Sequence, residues 1–276
     1  MESNKMSEKI IRYMVVLFIA ALWVIPIYIA LVTPFKSIQE IFTKVLSLPS
    51  KWDFRSFAKV IREIDVLFYL KNSFVVTGGS LLVIVIVCSI ASYALTRTRK
   101  KAIKAIYLVF SLGLMIPTQA GMIALFNVLK GLKLYNTTPG LILAFAGCSI
   151  PVSVFLFYGF FKSIPYEIIE SSYIDGCTEF GIFTRIVAPL SKAAFGTVII
   201  YNCVNIWKDF TYPLIYTQGE KVKTLPMAVY GLQGQYVSDY PTIFAGVLLS
   251  TVPLLLVFLI LQKQFIAGLT AGAVKG

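Results

Sequence analysis

The chain has 276 residues, 58% of them apolar and only 14% charged, with a mean hydropathy of +0.81. Ordinary soluble domains carry about 25% charged residues, so this composition excludes a soluble globular protein and describes an integral membrane protein. The net charge of +12 does not indicate a nucleic-acid partner, because the basic residues flank apolar runs instead of building one face, an arrangement that suits membrane lipid with anionic headgroups.

Lys5, Lys9 and Arg12 precede an apolar run from about Tyr13 to Val32, near the length of about 20 residues needed to span a bilayer. The run is too long for a signal-peptide core and lacks a small-x-small cleavage site, which predicts a retained first span. The mixed segment from Thr33 to Leu70 repeats Phe54, Phe57, Val60, Ile61 and Ile64 at helical spacing after Asp53, a possible cap, and predicts an external interfacial helix. Span two is predicted from about Phe74 to Leu95. Arg97, Arg99, Lys100, Lys101 and Lys104 follow at once, and a basic cluster abutting a span marks the cytoplasmic side. Span three, roughly Ala105 to Leu125, contains Pro117 and Gln119, a break tolerated only where protein or cavity water satisfies the freed backbone groups. After a turn from Lys130 to Thr138, span four runs from about Pro139 to Phe161 with Pro151 near its middle.

The next stretch is the one long polar insert between apolar runs that reads as folded. Pro165 suits a first helical position, Glu167 lies where the helix dipole favours an anion, and Gly176 offers a left-handed cap, which predicts a short helix from Pro165 to Asp175. Thr178 is the candidate N-cap of a second helix with Phe180, Phe183, Ile186 and Val187 on one face, closed by Pro189. Span five then covers about Ala193 to Tyr216 and span six about Thr242 to Leu261. Lys and Arg totals on the two sides come out nearly equal, so orientation rests on the position of the dense cluster after span two.

These elements predict an all-α membrane protein with six transmembrane helices and both termini cytoplasmic. The parts are 1–69 (first transmembrane helix and external loop), a core of 70–262 containing the cytoplasmic loop 162–192, and a cytoplasmic tail 263–276.

The chemistry is limited by what is missing. There is no histidine, the commonest general base and metal ligand. Cys88, Cys148, Cys177 and Cys203 lie far apart, so neither a disulfide framework nor a metal spacing is present. No phosphate-cradling Gly-x-x-x-x-Gly-Lys-Ser/Thr motif occurs. Span five holds an unusual density of polar groups: Asn202 and Asn205 near its centre, then Trp207, Lys208 and Asp209 toward the outer side. Polar groups at that depth face a neighbouring helix or a wet cavity. One reading is interhelical hydrogen bonding with an interfacial anchor at Trp207. The other is that Asn202, Asn205, Trp207 and Asp209 line a wet cavity, with Trp207 and Asp209 nearer its outer mouth, where a ring and a carboxylate acceptor would suit a hydroxyl-bearing solute.

The polar insert resembles the cytoplasmic signature of importer permeases of the binding-protein-dependent ABC class: Glu-Ala-Ala, three residues, Gly, nine residues, Ile-x-Leu-Pro. Glu170, Gly176, Ile186 and Pro189 match in register; Ser171 and Ser172 replace the alanines and Ala188 the leucine. Asn72-Ser73, Tyr93-Ala94-Leu95, Phe160-Phe161-x-x-Ile164-Pro165 and the terminal run from Gly268 to Gly276 are similar to the carbohydrate-uptake branch, nearest its smaller, maltose-G-type permease. The resemblance implies a type-1 permease fold in the bacterial cytoplasmic membrane, with no catalytic, cofactor or metal site in this chain. It implies three kinds of protein around it: a second homologous permease forming a heterodimer, two copies of an ATPase that binds ATP and Mg, and an extracellular or periplasmic solute-binding protein. It also implies that Glu170, Ser171, Ser172, Asp175, Gly176, Ile186 and Pro189 form the ATPase-coupling loop, and that Gly272, Lys275 and Gly276 reach the ATPase interface. Glycerol phosphate or a sugar acid is the alternative cargo of such permeases. A self-sufficient carrier would need intramembrane ionisable residues for ion coupling, of which only Lys208 and Asp209 lie near a span interior, toward its outer end, and an intramembrane enzyme would need histidine or paired carboxylates, which the spans lack.

Overall fold

The computed structural model describes the backbone of residues 2–97, 101–233 and 239–273, and the side-chain surroundings of these except at 2–8, 10, 261 and 263–273. Among the described residues the secondary structure is entirely helical. In chain order the helices are α1 (Glu2–Val32), α2 (Ile38–Thr43), α3 (Arg55–Glu63), α4 (Val66–Arg97), α5 (Lys101–Gly113), α6 (Met122–Gly131) and α7 (Thr138–Phe161). They continue with α8 (Tyr166–Ile174), α9 (Glu179–Ile182), α10 (Ala188–Leu190), α11 (Lys192–Lys208), α12 (Thr211–Tyr216), α13 (Leu225–Tyr230) and α14 (Tyr240–Ala273).

Among the described residues four stretches are long and apolar enough to cross a membrane: Ile11–Phe35, Val66–Arg97, Thr138–Phe161 and Tyr240–Ile260. Two bent pairs raise the number to six if each is one span: Lys101–Gly113 with Thr118–Gly131, bent by 98°, and Glu179–Leu190 with Lys192–Lys208, bent by 76°. The third expected span is therefore not one rod. The α-helix of α5 stops at Gly113, four residues before Pro117, and at 13 residues it is only about 20 Å long, short of a bilayer core of about 30 Å. The fifth is broken too: α11 ends at Lys208, and the chain restarts at Thr211 after Asp209 and Phe210. The second span starts earlier than expected, since α4 already begins at Val66.

The chain forms two compact units, one of Met1–Val66 with Ala228–Val252 and one of Leu67–Met227 with Pro253–Gly276. In the first, α2 opens with a capping box in which the Ser37 side chain and Glu40 satisfy each other's backbone N–H groups, and Glu40 also accepts from Ser50 N at 3.0 Å. Hydrogen bonds from Ser50 and Ser37 hold the Glu40 carboxyl down at about 2. Phe35 packs edge-on against Trp52 and Phe54, and Lys59 pairs with Asp239 at 2.6 Å. Phe54, not Asp53, holds the N-cap position of α3, but Asp53 Oδ1 accepts the Arg55 N–H at 2.9 Å and so pairs one of the first-turn donors.

The core of the second unit is α4, α7 and α11. Without a hydrophobic driving force between helices in lipid, close approach depends on small residues and weak interhelical hydrogen bonds. The buried face of α4 accordingly carries Ser73, Thr77, Ser80, Cys88, Ser89 and Ser92. Ser80 Oγ donates to Ile142 O at 3.3 Å and Ser92 Oγ to Val154 O at 3.2 Å, both on α7. Aromatic contacts complete the bundle: Tyr107 stacks on Tyr158 at 3.8 Å, Phe157 meets Phe195 at 4.9 Å, and Phe145 stacks on Tyr212 at 4.9 Å. The outer flanks stay uncovered, with Leu82 63% and Val109 67% exposed, which suits a surface solvated by lipid tails.

Candidate functional site

The polar insert folds as a hairpin of α8 and α9. Tyr166 is the first residue of α8, and Pro165 stands one position earlier than expected, at the N-cap with ψ 136°. Asp175 is the C-cap, and Gly176 adopts φ +75°, the left-handed conformation its position required. Thr178 is the N-cap of α9, its hydroxyl accepting the Gly181 N–H at 3.2 Å.

Beyond Ile182 the backbone widens into a π turn over Phe183–Val187 before α10. Pro189 does not close the helix as expected. The wide turn precedes a proline that has no N–H to give, and the helix breaks two residues later at Ser191, where the 76° bend lies. The extra residue in that turn also rotates the apolar face. Ile182 and Val187 are fully buried, Phe183 and Ile186 are half-buried, and Phe180 stands 71% exposed, so the face expected from helical spacing is divided.

Ile169 and Ser172 anchor α8 inward, with Ser172 Oγ donating to Ile168 O at 2.6 Å. Glu170, Ser171 and Asp175 point to the exposed side. Ile174, at 82%, and Phe180 are the most exposed apolar side chains of the hairpin.

The hairpin is tied to α4 through Glu179. Tyr93 OH donates to Glu179 Oε2 at 2.6 Å, Tyr173 OH donates to Oε1, and the Arg97 guanidinium lies 5.0 Å from the Tyr93 ring centre. The Tyr173 and Tyr93 hydroxyls, with Arg97 nearby, hold the Glu179 carboxyl below the usual carboxylate range. The same bond to Glu179, with desolvation, pushes the Tyr173 phenol up to about 12. Sequence reasoning missed Glu179. Its only signal was a Glu immediately after an N-cap Thr, which reads equally well as a first-turn anion.

The four polar residues of span five do not share one environment. Asn202 is buried, its amide donating to Ser153 Oγ on α7 at 3.0 Å and to Val198 O at 2.8 Å, the interhelical bonding of the first sequence reading. Trp207 is also buried, its ring 5.0 Å from Phe74. Asn205, about 60° round the helix from Asn202, is half-buried at the edge of the exposed side that carries Tyr201 and Lys208, and its amide donates to Tyr201 O at 2.9 Å. Asp209 lies beyond the end of α11, and its Oδ1 accepts the Tyr212 N–H at 2.8 Å, pairing a first-turn donor of α12. The single helical sector expected for Asn202, Asn205 and Asp209 is thus split, because the helix ends at Lys208.

Asn72 and Ser73 brace the segment before α13. Asn72 Nδ2 donates to Lys221 O and Lys223 O, each at 3.0 Å, Ser73 Oγ accepts the Leu225 N–H at 2.8 Å, and Tyr69 OH donates to Glu220. At the other end of the chain, α14 continues as helix to Ala273 and includes Gly272; Lys275 and Gly276 lie outside the described residues.

The family model described as "Binding-protein-dependent transport system inner membrane component" matches residues 84–270. The chain is 34% identical over 253 residues to the melibiose/raffinose/stachyose import permease protein MelC of Bacillus subtilis, covering 91% of each. It is 30% identical over 268 residues to the diacetylchitobiose uptake system permease protein NgcG of Streptomyces coelicolor, covering 96% of this chain and 87% of that one. Its fold is similar to a chain of a bacterial ABC transporter involved in the import of the acidic polysaccharide alginate, with TM-score 0.82 at 19% identity over 93% and 96% of the two chains.

Proposed function

The chain belongs to the binding-protein-dependent transport system inner membrane components, multi-pass proteins of the cytoplasmic membrane, and from that premise we propose that it is the transmembrane subunit of an ATP-driven importer of carbohydrate, most simply an oligosaccharide. Its partners in this reading are a solute-binding protein, a second homologous permease and two copies of an ATPase that holds ATP and Mg. Six spans with both termini in the cytoplasm put the basic end of α4 and the α8–α9 hairpin on the ATPase side. The 98° bend after α5 becomes a break within the third span.

The observation that carries the reading is the hairpin tip. Ile174 and Phe180 stand 82% and 71% exposed, the most exposed apolar side chains of the loop among the described residues, while Ile169 and Ile182 anchor it from within. Exposed apolar side chains on a capped hairpin suit a groove on a partner protein, with Glu170, Ser171 and Asp175 at its rim. A partner bound there also gives the signature residues Gly176, Ile186 and Pro189 their role, which is to shape the hairpin. The tail residues Gly272, Lys275 and Gly276 belong to the same contact.

For the sugar's path we assign the exposed side of α11, with Asn205 between Tyr201 and Lys208, in place of the side that Asn202 and Trp207 bury. Asp209 stands near its outer mouth. Hydroxyl-rich cargo suits an amide and a phenol on one face.

The deciding measurement is purification with the neighbouring transport genes co-expressed. Wild-type chain should bring down an ATPase and support sugar uptake, and Ile174→Glu should insert normally yet lose both. Full uptake by Ile174→Glu, or a transport-competent chain with no ATPase attached, would overturn the reading.

A further inference from the structure

Arg97, Lys104 and Lys162 line one cavity of about 660 Å³, together with Thr96, Tyr158 and Tyr166. They arrive from three helices: Arg97 is the last residue of α4, Lys104 lies in the first turn of α5, and Lys162 is the C-cap of α7. No Asp or Glu lines the cavity, and among the described residues none of the ion pairs includes any of the three. Arg97 acts on Glu179, whose oxygens already accept from Tyr93 and Tyr173.

Helix electrostatics explain only part of this. A cation at a helix C-terminus is favoured, which accounts for Arg97 and Lys162, but Lys104 sits at the positive end of α5, where a cation is disfavoured. Tyr166, on the cavity wall, begins α8, another helix start with no side-chain cap. The cavity therefore gathers three cations and the positive ends of two helices without a counter-charge. Arg97 Nε adds an unmet demand, since it is buried with no hydrogen-bond partner among the described residues. Tyr93 and Tyr158 hold the cationic groups in place, Arg97 at 5.0 Å and Lys162 at 5.7 Å from the ring centres.

We propose that this cavity binds a phosphate group, carried either by an anionic phospholipid headgroup or by a free phosphorylated solute. Guanidinium and ammonium donors converging on one space match its oxygens, and the position at the basic ends of α4 and α5 is where a headgroup lies. An occupant there touches both Arg97, next to the Glu179 tie, and the first turn of α8.

The test uses the full-length chain, purified in neutral detergent, stripped of lipid and titrated separately with phosphatidylglycerol, a phosphate-free glycolipid of equal chain length, and inorganic phosphate. Lipid binding is read by native mass spectrometry and phosphate binding by calorimetry. Saturable binding of phosphatidylglycerol but not of the glycolipid identifies the lipid source, and saturable binding of inorganic phosphate identifies the free source. Either supports the site if K104Q/K162Q weakens binding roughly thirty-fold, each single substitution roughly five-fold, and K104R/K162R restores it. Lys104 and Lys162 are exposed, so these variants leave the buried core untouched. The pair K130Q/K133Q, in the last turn of α6 and just after it, should leave binding unchanged. The proposal is overturned if neither phosphate probe binds, if phosphatidylglycerol and glycolipid bind alike, if K104Q/K162Q binds normally, or if the control pair loses as much.

Discussion

The Tyr93 hydroxyl donates a 2.6 Å hydrogen bond to the Glu179 carboxylate, joining the last turns of a long apolar helix to the first residue of α9. A charged acceptor makes this bond stronger than a neutral one, on the order of 1.5 kcal/mol. Tyr93→Phe should therefore insert normally but loosen the hairpin, lowering uptake several-fold while a cysteine on α9 becomes more reactive. Because the folded Glu179 pKa is lowered, its contribution is complete above the ordinary carboxylate range and is lost as pH falls through the lowered value. Acidification through the lowered value should reproduce the labelling change of Tyr93→Phe in the wild type and move the variant less, because only the Tyr173 bond to Glu179 remains there to lose.

Gly176 has φ +75° with open space around the position a Cβ would take, so the backbone alone resists substitution. Gly176→Val should cost about 1–2 kcal/mol and misdirect α9, whereas Gly176→Asn, which tolerates the left-handed region, should cost less. The check is uptake per inserted molecule. Equal uptake by the valine and asparagine variants would remove the conformational account.

Gly140 has ordinary dihedrals but no room. A Cβ there would lie 1.9 Å from Leu134 O, a backbone atom that cannot swing aside. Gly140→Ala should lower the melting temperature in detergent far more than Gly79→Ala, where the obstructing atom is the mobile Cδ1 of Ile142 at 2.6 Å. Thermal unfolding of the two variants side by side measures the difference.

Asn202 and Asn205 separate packing from transport. Asn202→Ala removes the bond to Ser153 and should reduce stability by about 0.6 kcal/mol, the average for interhelical bonds in membranes, with a small effect on uptake at saturating sugar. Cysteines at 201, 205 and 208 in a cysteine-free background should label from water, while cysteine at 202 should not. Labelling at 202 with protection at 205 would reverse the assignment of faces.

Much of this was legible in the chain. Continuous apolar runs the length of a bilayer identify α1, α4, α7 and α14 by composition, because lipid selects length and hydropathy before any tertiary contact forms. Caps are local as well, so Thr178 and Gly176 could be assigned from residue type: one supplies a side-chain acceptor, the other a backbone without Cβ. What only the tertiary structure decided depends on partners distant in sequence. Spacing alone grouped Phe180 with Val187, but a π turn changes the phase between them, and only packing shows that Ile182 is the buried anchor. Periodicity likewise joined Asn202, Asn205 and Asp209 on one face. Asn202 turns inward because Ser153, 49 residues away, offers its hydroxyl, and Asp209 leaves the helix because its carboxylate is taken by the start of α12. A polar side chain in an apolar helix must satisfy its hydrogen bonds somewhere, and the sequence names the demand while the fold alone supplies the partner.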